Sequence, residues 1–211
     1  MSTITHPYSP SEPVRDVYIF DFDGTCTTAD TFALFLRYFA GPTRWTLNII
    51  RLLPIFIGYV LGLKSRDDVK AHVINRFFKG AAMQDIENRA EQFAKDVIPG
   101  LIRPKALAAL KQRQKTPYTL YICSASIGPY LRHWGKPHGI TNIMATELES
   151  QNGICTGRIS GWNIWGSGKI RRISAEFADQ SVRIKEAYGD TRGDLEMLNA
   201  AQASYWHPFR L

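Results

Sequence analysis

The sequence predicts an α/β protein: a Rossmann-like parallel sheet with an all-helical cap inserted after the first strand. Two observations predict it. Short runs rich in β-branched and aromatic residues alternate with helix-length amphipathic stretches, the pattern of parallel strands joined by right-handed crossovers. Between the first such run (17–20) and the second (118–123), residues 30–98 read as helix throughout. The implied organisation is a polar, proline-containing tail over 1–14, a core made of 15–29 with 99–211, and a cap over 30–98.

Val17-Tyr18-Ile19-Phe20 reads as a buried strand, followed by Asp21-Phe22-Asp23 and a Gly24-Thr25 turn. In parallel α/β sheets ligands bind beyond the carboxyl ends of the strands. On extended chain, residues two apart point the same way. Close carboxylates repel, and a metal ion or retention of one proton relieves the repulsion. An ordinary strand end with an Asx-type turn is the alternative.

Thr31 to Phe39 is apolar at helical spacing, with Thr28 or Asp30 available as cap and Gly41-Pro42 as terminator. Residues 43–63 are helical in length, with a kink expected at Pro54. Arg44, Asn48, Arg51, Gly58 and Gly62 fall on one narrow stripe, and the remaining surface is apolar. The uncharged run Leu52–Leu63 is too short to span a bilayer, which takes about 20 residues. It reads as a helix buried in the cap or in a homodimer. The other reading is an interfacial helix, with Trp45 and Tyr59 at headgroup depth and Arg44, Arg51 and Lys64 near anionic lipid.

Two amphipathic helices follow, over 64–79 and 82–97, separated by Gly80. A helix over 103–114 leads to the strand 118–123, which enters Ser124-Ala125-Ser126; a new helix starts at Gly128-Pro129. A third strand over 141–147 and a glycine-bounded β-excursion over 153–161 come next. Gly166-Ser167-Gly168-Lys169 precedes a helix over 170–178. The strand 182–188 runs into Gly189-Asp190, before a short helix over 195–201 and a last strand over 203–206.

A net charge of +7 suits anionic ligands or surfaces, and no basic-aromatic motif directs it to nucleic acid. Cys26, Cys123 and Cys155 are scattered, which implies neither a disulfide framework nor a zinc site. The N-terminus has no apolar leader core, so a cytoplasmic protein is expected, with the inner face of the membrane as the surface that 43–63 would touch.

Asp21-Phe22-Asp23-Gly24-Thr25, Ser124 after the second strand, Lys169 at a helix start, and Asp190 with Asp194 four residues on are each weak signals. In this order they resemble the haloacid dehalogenase superfamily, phosphatase branch. The chemistry fits independently. Phosphoryl transfer needs a nucleophile, cations around the phosphoryl oxygens and a proton for the leaving oxygen. The resemblance implies Asp21 as nucleophile and Asp23 as general acid and base. It also implies Mg²⁺ held by Asp21, Asp190 and the Asp23 main-chain oxygen, with Asp194 in support. Ser124 and nearby backbone N–H groups would hold the phosphoryl oxygens, and Lys169 would supply the fixed cation.

Asp30 stands where phosphoserine phosphatases carry an acid that reaches the substrate; a helix N-cap is the alternative. Those enzymes read GDGxND at the fourth motif, and Gly193 here replaces the Asn, which speaks against phosphoserine. Arg51, Arg66 and Arg76 are the cap arginines open to a substrate anion. The Gly-x-Gly-Lys segment and the β-excursion resemble IB-type hydrolases, and bacterial phosphatidylglycerophosphatase C has a comparable apolar stretch early in its cap. The expected function is hydrolysis of a phosphomonoester, lipid-borne such as phosphatidylglycerophosphate. A soluble phosphoserine-like phosphatase and a non-catalytic phosphate-binding scaffold are the alternatives.

Overall fold

A computed structural model describes residues 14–178 and 181–210; the expected tail, Val14 apart, lies outside them. The strands are β1 (Arg15–Phe20), β2 (Thr119–Ile127), β3 (Ile143–Gln151), β4 (Ile154–Ser160), β5 (Val182–Gly189) and β6 (Ala203–Trp206). They form one sheet in the order β4-β3-β2-β1-β5-β6. All neighbours pair in parallel except β3 and β4, which form a hairpin. β1 is therefore central, and its apolar run is explained by burial on both faces. Tyr18 and Phe20 face one cluster with helices α4 (Pro104–Arg113) and α5 (Gly128–Gly135). Val17 and Ile19 face the other, against α6 (Ser167–Glu176) and α7 (Leu195–Asn199).

The cap consists of α1 (Thr31–Val60), α2 (Arg66–Phe78) and α3 (Met83–Asp96). Asp30 caps α1 by accepting from the Ala33 N–H at 2.9 Å, and Ser65 caps α2 through a reciprocal box with Asp68. α1 is broken at Gly41, whose φ of 72° and ψ of 165° are non-helical. The break falls at the Gly41-Pro42 step, where the sequence placed a terminator, while Pro54 keeps helical backbone angles and the expected departure there is absent. Gly41 supplies the positive φ that few other residues tolerate.

Beyond Gly41 the helix is inverted in polarity. Asn48 is buried and accepts from Arg76 Nε at 3.1 Å, while its Nδ2 has no partner among the described residues. Leu47, Ile50, Leu53, Ile57 and Val60 are exposed, with Leu61 and Leu63 after them. The reading of 43–63 as a helix fully buried within this chain is thereby corrected: one side packs on the cap, and the other carries an apolar stripe into solvent.

Aromatic packing joins cap to core. Phe35 is fully buried, and its ring lies 5.1 to 6.1 Å from those of Phe39, Phe78, Phe93 and Tyr130, the last on α5. The β3–β4 hairpin clasps the cap from the other side, with the Cys155 N–H donating to Ala81 O and the Gly80 N–H to Cys155 O. Phe35→Ala should therefore cost ~3–5 kcal/mol, the range for deleting a buried aromatic ring. Urea denaturation measures this; a loss under ~1 kcal/mol would contradict the joint packing of cap and core.

Candidate active site

The carboxyl ends of β1, β2 and β5 meet where the cap covers the sheet. β1 delivers Asp21, still anchored to the sheet by its N–H to Tyr188 O at 2.9 Å. The chain turns sharply at Gly24, whose φ is +77°, and a Cβ there would lie 2.3 Å from Asp190 Oδ2. Glycine is required for both reasons. β5 delivers Asp190, and Thr191 and Asp194 close the following turn with a capping box.

Lys169 lies in the first turn of α6 and is 1 % exposed. Its ammonium donates to Asp21 Oδ1 at 2.6 Å, Asp194 Oδ1 at 2.6 Å and Cys123 O at 2.7 Å, using all three protons. Burial alone would discharge it, but the two carboxylates outweigh burial and hold its pKa above the ordinary lysine range. Asp194 is likewise opposed by burial, yet Lys169 and the N–H groups of Asp190 and Thr191 hold its carboxyl below the usual range.

Asp21 is different. Burial, with Asp194 and Asp23 nearby, pushes it up to about 7 despite Lys169. Burial also lifts Asp23 to about 6, with Asp30 adding to the effect. The Asp23 carboxylate is not one of the group formed by Asp21, Asp190 and Asp194. It accepts from the Thr31 N–H at 2.7 Å, the Thr31 hydroxyl at 2.5 Å and the Ser126 hydroxyl.

Asp21, Asp190 and Asp194 place carboxylate oxygens within 4.8 Å of one another. Asp190 accepts from the Thr25 hydroxyl at 3.2 Å and from Arg210 at 2.6 Å. With Asp23, four carboxyl groups share two directly bound cations, Lys169 and Arg210. Three buried carboxylates this close raise the proton affinity of Asp21, and hard oxygen donors of this kind suit Mg²⁺. Both oxygens of Asp194 and both of Asp190 accept hydrogen bonds, whereas Asp21 accepts on Oδ1 alone among the described residues.

Asp21, Asp23, Lys169, Asp190 and Asp194 line a cavity of about 630 Å³, together with Ser124, Ala125 and Ser126. Ser124 stands within β2, which runs on to Ile127, rather than beyond a strand end, and it caps no helix. Asp30 both caps α1 and borders the cavity. Of the three cap arginines only Arg66 reaches the cavity; Arg76 is engaged by Asn48, and Arg51 is exposed and outside it. Trp45, Ile49, Phe56 and Tyr59 of α1 contribute apolar wall to the same cavity.

The haloacid dehalogenase-like hydrolase model matches residues 18–199, which takes in every one of these acids and Lys169. The chain belongs to that family. Its hydrolase core carries the phosphoserine phosphatase-like fold. Protein CicA of Caulobacter vibrioides is 36% identical over 192 residues, covering 90% of this chain and 85% of CicA. A solved Bordetella pertussis Tohama I protein, described as of unknown function, has a TM-score of 0.77 at 18% identity, over 91% of this chain and 89% of that one. A phosphoserine phosphatase solved as a phospho-aspartyl intermediate analogue has a TM-score of 0.58 at 15% identity, over 91% and 86%.

Within this hydrolase fold, sequence reasoning missed Thr31, Ser126, Arg210 and Trp165. Ser126 had a signal, since it stands two residues after Ser124 on the same strand. Arg210 had none, because its partner Asp190 is reached only through the folded C-terminal segment. Trp165 explains Gly193: a Cβ at 193 would lie 2.3 Å from the indole Nε1, so an Asn has no room there.

Lys169→Met should lower stability by ~3–5 kcal/mol, because it leaves two buried carboxylates facing each other. The deficit should narrow as the pH falls, since the stranded carboxyls then take up protons in the folded state. Urea denaturation at pH 5 and pH 8 measures both; equal stability to the wild type at pH 8 would refute the assignment.

Proposed function

We propose that this protein is a Mg²⁺-dependent phosphomonoester hydrolase that works through a phosphorylated Asp21, with a lipid-borne phosphate such as phosphatidylglycerophosphate as substrate. One observation carries the chemistry: Asp21, fixed by Lys169, and Asp23, held by Thr31 and Ser126, line a single cavity.

Asp21 attacks phosphorus and the bond to the leaving oxygen breaks. Asp23 gives that oxygen its proton; a carboxyl lifted to about 6 holds a proton more readily than an ordinary aspartate near neutral pH. A water then attacks the acyl-phosphate, Asp23 takes its proton, and phosphate leaves Asp21 free. The hydroxyl of Ser124 holds a phosphoryl oxygen, and Lys169, its three protons taken by Asp21, Asp194 and Cys123 O, supplies fixed positive charge beside it. Asp21, Asp190 and the Asp23 main-chain oxygen would hold Mg²⁺, with Asp194 keeping Lys169 in place. The ion supplies charge neutralisation between the attacking carboxylate and the phosphate dianion. The phospho-aspartyl analogue of the phosphoserine phosphatase supports this route by family likeness.

The lipid reading rests on the cavity's apolar wall. Trp45, Ile49, Phe56 and Tyr59 contribute to it, and the same helix carries its exposed apolar stripe outward. Arg44, Arg51 and Lys64 are exposed beside that stripe, the arrangement of a helix lying on an anionic surface. No helix among the described residues is long and apolar enough to cross a membrane, so the contact would be peripheral. A small hydrophilic substrate gives no reason for an apolar cavity wall on a helix whose other side is apolar and solvent-facing.

Asp21→Asn should reduce phosphate release from an aryl phosphate by at least ~1,000-fold, the scale for losing a nucleophile. Chelation should abolish the wild-type activity, and added Mg²⁺ should restore it. Full activity of Asp21→Asn would remove the nucleophile assignment.

The docking helix is tested by co-sedimentation with anionic vesicles at low salt. Each well-buried Leu or Ile contributes about 1.5–3 kcal/mol, so Leu53→Glu/Ile57→Glu should weaken binding by ~10-fold or more. Wild-type protein left in the supernatant would sink the lipid reading, and a dimer in solution would then assign the stripe to a second copy.

A further inference from the structure

Resting on the reading of Asp190 as a Mg²⁺ ligand, we propose that Arg210 is a built-in competitor of that ion. Its guanidinium compensates Asp190 in the metal-free protein and yields the carboxylate when Mg²⁺ binds. The chain's own cation thus sets the metal affinity of the site.

The packing after β6 aims Arg210 at the site. The chain turns at His207, whose φ of +51° is uncommon outside glycine, and the His207 N–H donates to Gly189 O at 2.9 Å. Phe209 is then buried, its ring centroid 5.6 Å from that of Tyr188 and 6.3 Å from that of Phe20, in near-parallel stacks. Anchored on β1 and β5 in this way, the segment carries Arg210 to the strand end, where it donates to Asp190 Oδ2 at 2.6 Å.

Asp190 is thereby engaged on both oxygens, since Oδ1 accepts from the Thr25 hydroxyl at 3.2 Å. Gly24 also packs on this carboxylate, so closely that a Cβ there would lie 2.3 Å from Oδ2 and 3.0 Å from Oδ1. Little room is left for a further neighbour. A metal ion drawn to Asp190 meets a crowded carboxylate whose one ion-pair partner among the described residues is Arg210. Two positive groups on one carboxylate repel each other. Each therefore weakens the other's binding, and by reciprocity the weakening is equal in both directions.

The two cations of the site differ in kind. The Lys169 side chain is 2 % exposed and has three acceptors, so it cannot leave without stranding buried carboxylates. The Arg210 side chain is 49 % exposed, against 3 % for Asp190, and Arg210 is not one of the residues lining the cavity. Water can take up the guanidinium when it lets go, outside the space that substrate occupies. The Asp190 carboxylate has no such recourse, and an unpaired buried charge is costly. The pair is therefore easy to break when another cation takes the place of Arg210, and hard to break otherwise.

The test measures Mg²⁺ binding to full-length protein without substrate, by isothermal titration calorimetry, for wild type, Arg210→Met and Arg210→Lys. A partly exposed ion pair corresponds to a change of a few-fold, so Arg210→Met should bind Mg²⁺ roughly 5-fold more tightly than wild type. Arg210→Lys keeps the charge and should stay within ~2-fold of wild type. In EDTA, Arg210→Met should melt at a lower temperature than wild type, and saturating Mg²⁺ should close that gap because the ion replaces the lost partner. Equal or weaker Mg²⁺ binding by Arg210→Met overturns the proposal, as does a melting deficit that Mg²⁺ leaves unchanged, the mark of a merely structural arginine. Either result leaves the phosphatase reading standing if wild type releases phosphate from an aryl phosphate with Mg²⁺. No Mg²⁺ binding by wild type at millimolar concentration, with no such release, overturns both.

Discussion

The ammonium of Lys169 ties together three stretches of chain that meet at the carboxyl end of the sheet. Asp21 comes from the end of β1, Cys123 from β2, and Asp194 from the turn after β5. Each contact is a hydrogen bond to a charged or polar acceptor in a place that water barely reaches. Burying four such groups is expensive one by one, and only their mutual pairing offsets the loss of hydration. The sheet must therefore hold its three central strands in one register before the site exists. Gly24 and Gly189 belong to the same constraint. A Cβ at 24 would strike Asp190, and one at 189 would come within 2.5 Å of Asp194 Cβ.

Around that tie the acids divide. Asp194 is saturated by hydrogen bonds and charged; Asp190 is held by Thr25 and Arg210; Asp21 is held on one oxygen by Lys169; Asp23 is bound by the Thr31 and Ser126 hydroxyls. Two aspartates separated by one residue in sequence thus acquire different environments. The difference comes from partners on α1 and β2 and not from the strand that carries them. Thr31 opens the cap helix, so the first turn of the cap also sets the position of Asp23.

The cap reverses the usual arrangement of a surface helix. Over 42–60 it turns Asn48 inward and leaves isoleucines and leucines in solvent. Its inner face lines the cavity and its outer face is apolar, so one helix connects the reacting groups to whatever surface covers it. On the other side of the cavity, Trp165 fills the space above Gly193 and supports Arg66. The substitution at 193 and the placement of a cap cation are therefore one packing event.

The sequence by itself determined the alternation of strands and helices, the helical insertion and the order of Asp21, Asp23, Ser124, Lys169, Asp190 and Asp194. These are local properties: periodicity, turn residues and strand ends can be read within a window of a few residues. The position of the helix break was legible as Gly41-Pro42 but not its precedence over Pro54, since a proline can remain in a helix when the strain is released elsewhere. Long-range decisions were out of reach. That Arg66 and not Arg51 or Arg76 faces the cavity depends on the rotation of α2 against α1. That Arg210 reaches Asp190 and that Asn48 points inward depend on contacts between residues far apart in the chain. Tertiary structure alone decides these, because burial and pairing are properties of the packed interface between elements rather than of the elements themselves.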